Sequence, residues 1–173
     1  RHGFSNIIGH ATGVENLTSL SDWSAKTLMR TLNWDDLSWI MKRWGGKVIL
    51  KGIQDVEDAK MAVKTGADAI VVSNHGGRQL DGALSSIRSL PSIIEAVGNQ
   101  IEVWMDGGIR SGQDVAKAVS LGAKGVMIGR PYIYGLGAMG QKGVSKALEV
   151  IHKELDTTMA LCGERNITNM TRE

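Results

Sequence analysis

The sequence predicts an α/β fold built around a parallel sheet, and three observations predict it. Four short β-rich runs are almost continuously apolar, as strands covered on both faces require. Each run ends in a polar or glycine-rich corner, and each corner leads into a stretch with helical periodicity. The links between them are short, which makes right-handed βαβ units the natural connection. Four such units are too few to close an eight-stranded barrel. They make half of one, with two open strand edges and an unfilled interior. At this level two architectures remain: half of a (β/α) barrel completed by another segment or a second copy, and an open doubly wound sheet.

The elements follow in order. Residues 1–32 are polar and rich in Ser, Thr and Asn, and they read as a long loop before the strand region. Asn33-Trp34-Asp35-Asp36 then opens a helix. Its Trp34, Leu37, Ile40, Met41 and Trp44 form an apolar stripe, a core face rather than a cofactor contact. The strands are expected at 47–51 (KVILK), 69–73 (AIVVS), 102–106 (EVWMD) and 125–128 (GVMI). Between the first two, residues 55–65 place Val56, Ala59, Ala62 and Val63 on one side of a helix that Gly66 stops. Pro91 marks a break or a helix start before Ile93 to Val97. Ser111 is a candidate cap for a helix over 113–121 with Val115, Ala118 and Val119 inward, ended by Gly122. A long amphipathic segment over 144–161 closes the fold, with Gly163 as its stop.

Composition narrows the function. The chain has 173 residues, 42% hydrophobic and 22% charged, which suits a soluble globular domain. Its net charge of +2 comes from scattered Lys and Arg with no basic run, so nucleic acid is excluded as a partner. A single cysteine, Cys162, rules out an internal disulfide framework and a multi-cysteine zinc site, and it suits a reducing cytoplasm. No metal site is expected. No stretch approaches the roughly 18 apolar residues of a membrane span. Arg1-His2-Gly3 has no signal-peptide pattern, and a start without Met suggests a cleaved, truncated or partial chain.

The chemistry lies in the corners, because in a parallel barrel functional groups gather where strands end. Asp106-Gly107-Gly108-Ile109-Arg110 and Gly129-Arg130 combine glycines, which let backbone N–H groups approach an anion, with two guanidinium groups suited to phosphate. The helix starting near Ser111 adds the positive end of its dipole to this site. Ser73-Asn74-His75-Gly76-Gly77-Arg78-Gln79-Leu80-Asp81-Gly82 is the densest polar run in the chain. There His75 suits general base chemistry near neutral pH, and Arg78 suits a bidentate grip on a substrate carboxylate. Lys51 ends the first strand, where an ammonium facing a barrel mouth needs an anionic or electron-rich partner.

With Lys51-Gly52, SNHGGRQLDG (73–82), DGGIRSG (106–112) and IGRP (128–131), the chain resembles the FMN-dependent 2-hydroxy-acid oxidase and dehydrogenase family. That family includes glycolate oxidase, L-lactate dehydrogenase, mandelate dehydrogenase and the flavocytochrome lactate dehydrogenases. The likeness runs from about Asn33 to the C-terminus. It implies the C-terminal half of a (β/α)8 TIM barrel over 33–173, with the N-terminal half missing and FMN as cofactor. His75 would be the active-site base and Arg78 the carboxylate clamp. Lys51 would contact the flavin and stabilise negative charge on it, and Ser73 would contact it too. Asp106, Gly107, Gly108, Arg110, Gly129 and Arg130 would hold the ribityl phosphate arm.

By the same resemblance a small L-2-hydroxy acid, lactate-like, is oxidised to the 2-oxo acid. Its electrons pass to a quinone, a cytochrome or oxygen. The WDDLSWIMKRW stretch (34–44) resembles bacterial L-lactate dehydrogenases more than plant-type oxidases. A homotetramer is implied, in the cytoplasm or peripheral on the inner membrane, although residues 1–32 lack a strongly apolar face. The rival readings are a non-catalytic half-barrel or assembly module, and an FMN barrel of other chemistry such as a flavin-dependent isomerase.

Overall fold

The computed structural model describes residue 7 and residues 11–27 and 31–172. The chain divides into two compact units, residues 1–37 and 38–173. The loop reading of residues 1–6, 8–10 and 28–30 lies outside the described residues.

In the first unit, the segment expected as loop contains a helix, α1 (Leu17–Thr27). Leu17, Leu20 and Trp23 recur at helical spacing. The Asn16 side chain accepts from Ser19 N at 2.9 Å, and the Ser19 hydroxyl accepts from Asn16 N at 3.0 Å. Ser and Asn here cap a helix, and composition alone does not separate a cap from a loop. α2 (Trp34–Trp44) begins as expected, with Asn33 Oδ1 accepting from Asp35 N at 2.8 Å. Its stripe is not core: Trp34, Leu37, Ile40 and Met41 are half-buried and Trp44 is exposed. Periodicity gives the direction of an apolar face but not how much covers it.

The second unit holds the sheet. β1 (Ile49–Ile53), β2 (Ala69–Val72), β3 (Glu102–Met105) and β4 (Gly125–Val126) lie in the order β1-β2-β3-β4, all parallel. Strand order never reverses within the four, so no switch point of a doubly wound sheet is present among them. Ile70, Val72, Val103 and Met105 are buried toward the helices. Ile49, Lys51, Trp104 and Met127, on the other face by the period of two, are exposed or half-buried. The first face is therefore covered, while the second is closed along β2, where Ala69 and Val71 are buried, and open at Ile49 and Met127.

β1 begins two residues later than expected. The Asp68 carboxylate accepts from Val48 N at 2.8 Å and pairs with Lys47, clamping the strand's approach. Through that Lys47 bond the Asp68 carboxyl sits below its usual range. α3 (Val56–Thr65) starts at Asp55, whose side chain accepts from Glu57 N, and ends at Gly66. α4 (Ser86–Val97) runs straight through Pro91, against the expectation of a break there. Complete burial of Leu90, Ile93 and Val97 outweighs the one helical hydrogen bond proline cannot make. α5 (Gly112–Ser120) carries a capping box between Ser111 and Asp114.

A helix not expected from the sequence, α6 (Arg130–Met139), precedes Gly140, and the closing segment expected over 144–161 lies within one helix, α7 (Gln141–Leu161). α6 was hidden by its glycines. Gly135 faces Gly143 of α7 so closely that a side chain on either would overlap the other's backbone. Gly112 meets the α7 backbone at Leu155 in the same way, so α7 is held against both neighbours at main-chain distance.

Candidate active site

Lys51, expected to end the first strand, lies in the middle of β1, and its ammonium meets side chains that stand just past the ends of β2 and β3. Lys51 Nζ donates to Ser73 Oγ at 2.9 Å and pairs with Asp106 Oδ2 at 2.8 Å. Register explains the convergence. Lys51 lies opposite Val71, and Val71 opposite Trp104, so Ser73 and Asp106 share the face of Lys51 one pleat further on. Backbone bonds carry the ladder past the strand ends, from Ser73 N to Ile53 O at 3.3 Å and from Asp106 N to Val72 O at 3.1 Å. Ser73 is buried, and the Lys51 and Asp106 side chains are 37% and 19% exposed. Asp106 Oδ1 is buried and accepts no hydrogen bond.

His75 follows Ser73 in a short turn with φ of 56°, a left-handed conformation uncommon for a residue with a side chain. Local bonds hold it. His75 N donates to Ser73 Oγ at 3.1 Å, Gly76 N to Asn74 Oδ1 at 3.0 Å, and Asn74 N to the buried Ser86 Oγ at 3.1 Å. Gln54 Nε2 donates to Leu84 O at 2.7 Å, tying the far end of the loop to the residue after β1. The imidazole is half-buried, and no side chain among the described residues hydrogen-bonds it. Arg78 is exposed and folds back, its Nε donating to His75 O at 2.9 Å. Base candidate and carboxylate-clamp candidate therefore share one turn.

Gly107 and Gly108 have φ of 87° and 86°, so the chain leaves β3 through two left-handed positions that side chains disfavour. A Cβ on Gly107 would stand 3.0 Å from both Asn74 Oδ1 and Ser86 Oγ, whereas on Gly108 or Gly129 it would meet nothing within 4 Å. Arg130 reaches across to the histidine turn, its Nη2 donating to Gly76 O at 2.9 Å. Arg110 lines a groove of about 300 Å³ with Pro131, Gly135, Met139, Lys146 and Val150. No bond among the described residues joins Arg110 to Arg130.

At the start of α5 the backbone donors of residues 110–112 are already taken within the chain. Arg110 N and Ser111 N both donate to Asp114 Oδ2 at 3.0 Å, and Gly112 N donates to Glu154 Oε2 at 3.0 Å. Two carboxylates already occupy that helix end. Burial pushes the Asp114 carboxyl up, but the bonds from Arg110 and Ser111 outweigh it and hold the group below its usual range. α6 differs: it begins at Gly129-Arg130 with no side-chain cap, so no capping oxygen takes its first N–H groups.

Sequence reasoning missed Asn74, Ser86, Gln54 and the fit of Gly52 to His75. Asn74 alone carried a signal, an Asn two residues before a glycine that its side chain can cap.

The profile of the FMN-dependent dehydrogenase family matches residues 4–173. The chain is 49% identical over 166 residues to an L-lactate dehydrogenase of Caulobacter sp. (strain K31), covering 96% of this chain and 43% of that protein. It is 48% identical over 172 residues to an L-lactate dehydrogenase of Azorhizobium caulinodans, covering 99% and 45%. A crystal structure of mandelate oxidase superposes with a TM-score of 0.84 at 44% identity, covering 91% of this chain and 46% of that one. A structure described as the monotopic membrane protein (S)-mandelate dehydrogenase gives 0.84 at 35% identity, covering 93% and 43%. The chain thus spans less than half the length of these relatives. No helix among the described residues is long and apolar enough to cross a membrane.

Proposed function

The chain belongs to the FMN-dependent dehydrogenase family, and from that premise we propose that, with the other half of a (β/α)8 barrel, it oxidises a small L-2-hydroxy acid to the 2-oxo acid. The observation that carries the reading is the joining of Lys51 of β1 to Ser73 and Asp106 just past β2 and β3, with His75 and Arg78 on the turn that follows Ser73.

The residues fit FMN. Asp106 Oδ1, buried without a donor, suits a ribityl hydroxyl. The open space at Gly108 and Gly129, the uncapped start of α6 and the guanidinium groups of Arg130 and Arg110 suit its phosphate. Lys51 and Ser73 would face the ring system, where a cation favours added negative charge. When bound, FMN supplies acceptance of two electrons.

The chain's own residues do the rest. Arg78 releases the His75 carbonyl and grips the substrate carboxylate with its planar fork. An imidazole nitrogen of His75 takes a proton from the hydroxy acid, a task suited to that ring near neutral pH. Lys51 keeps Asp106 and Ser73 in place throughout. Relatives named L-lactate dehydrogenase at 49% and 48% identity support a lactate-sized substrate, and mandelate, from mandelate oxidase at 47%, is the substrate to compare with it. Quinone, cytochrome and oxygen are the acceptors to compare. We place the homotetrameric protein in the cytoplasm or peripherally on the membrane; the likeness to the monotopic dehydrogenase supports the latter.

His75→Gln in the complete protein tests the reading. It should keep its flavin but slow anaerobic bleaching by lactate at least about 10²-fold, the low end for a general base. Bleaching isolates the reductive half-reaction from the acceptor. Rapid bleaching in the variant would leave a flavin barrel of other chemistry as the better account.

A further inference from the structure

Gly52 is the extra residue of a bulge in β1. Lys51 pairs with Val71 and Ile53 with Val72, so Gly52 has no partner of its own, and its φ is 100°. Its bare Cα faces the His75 ring. A Cβ built on Gly52 would stand 2.7 Å from Cε1, 3.5 Å from Nε2 and 3.6 Å from Nδ1 of that imidazole. The ring therefore comes against the bulge by its Cε1 edge, with both nitrogens flanking the contact.

We propose that Gly52 is a positioning residue for His75: the bulge forms the seat of the imidazole, and the missing side chain lets the ring stand beside Lys51. Bulges near active sites commonly re-aim a side chain, and here the re-aimed group is on the neighbouring strand's turn. The His75 backbone is fixed by Ser73 and Asn74 at φ of 56°. That fixes where the side chain starts, while Gly52 fixes where the ring stops. A methyl group at 52 would drive the ring back by roughly 1 Å to reach the ~3.5 Å at which carbon atoms pack. The inference rests on His75 being the base, and the experiment keeps the two apart.

In the complete protein with ¹³Cε1-labelled histidine, the His75 signal is identified by its loss in His75→Gln. A nuclear Overhauser effect between His75 Hε1 and the Gly52 Hα protons is expected in the unaltered chain, and its absence overturns the seat without any variant. Gly52→Ala should move the His75 signal. Gly45→Ala, also left-handed at φ of 67° but with nothing within 4 Å of its Cβ position, should leave it in place. In the complete protein, Gly52→Ala should slow flavin reduction about 10²-fold, the usual effect of a misplacement near 1 Å. Flavin affinity should be unchanged, and Gly45→Ala should reduce at the normal rate. An unmoved signal in Gly52→Ala, or a moved signal with a normal reduction rate, overturns the proposal. If His75→Gln also reduces its flavin at the normal rate, the base reading has failed, and the resonance alone decides whether Gly52 seats the ring.

Discussion

Lys51→Met leaves a side chain of similar length but takes away the ammonium that binds both Ser73 Oγ and Asp106 Oδ2. Ser73 Oγ still accepts from His75 N, so that oxygen is not stranded. Asp106 is worse placed. Its Oδ1 already lacks a donor, and without Lys51 its Oδ2 loses the one recorded here, in a side chain only 19% exposed. Removing one partner of a fully buried ion pair costs about 3–5 kcal/mol. Water reaches this pair through the 37% exposed lysine, so screening lowers the expected loss to about 2–3 kcal/mol. For a chain of this size that is a fall in Tm of roughly 4–12 °C. Asp106→Asn strands no carboxylate, and its ammonium can turn to water, so about 1 kcal/mol or less is expected. The double variant should be more stable than Lys51→Met alone. Urea unfolding followed by circular dichroism at pH 7 measures all three. A Lys51→Met protein within about 0.5 kcal/mol of wild type, the usual range of neutral surface changes, refutes the reasoning. So does a double variant no better than Lys51→Met.

Three further outcomes follow from the corners. Arg130→Ala and Arg110→Ala should each weaken FMN affinity by roughly 10–150-fold, from about 1.5–3 kcal/mol per charged hydrogen bond; unchanged dissociation constants in both variants remove the phosphate assignment. Arg78→Lys keeps the charge but loses the fork, so the Michaelis constant for 2-hydroxy acids should rise at constant flavin content, and equal turnover of the acid and its neutral amide by wild type would argue against a carboxylate clamp. The Asp114 carboxyl is held low, so its stabilising contribution is complete above the ordinary carboxylate value of about 3.9 and is lost as pH falls through the lower folded value. The stability gap between wild type and Asp114→Asn should therefore stay level from neutral pH to about pH 4 and close below it; a gap that closes between pH 6 and 5 contradicts the capping geometry.

How much of this was legible depends on whether the cause is contiguous in sequence. The strand runs, the helix after Asp55, the Ser111 cap and the polar corners are local patterns, and they lie within a few residues of where the pattern puts them. Ser73 and Asp106 were legible as strand-end polar groups and Lys51 as a polar group on the first strand, although β1 runs on to Ile53; their common bond was not legible. It depends on register between three strands. The Gly52 seat is less legible still, since a glycine in an apolar run says nothing of which ring will lie against it. α6 was hidden because Gly135 is there for close helix contact, and local propensity counts that glycine against a helix.

The start of α5 shows two local rules in competition. A helix N-terminus beside two glycines and an arginine reads as an anion site, yet Ser111-Gly112-Gln113-Asp114 is also a Ser-x-x-Asp capping box. The box wins because its carboxylate is covalently tethered three residues away, at an effective concentration no diffusing phosphate matches, and Glu154 fills the remaining donor at Gly112. Gly129-Arg130-Pro131 has no such competitor. Its glycine offers no capping oxygen, and proline at the second helical position has no N–H to leave unpaired. The start of α6 therefore leaves backbone donors without a capping side chain. That same helix contributes Arg130, whose bond to Gly76 O ties the corner proposed for the phosphate to the turn that carries His75.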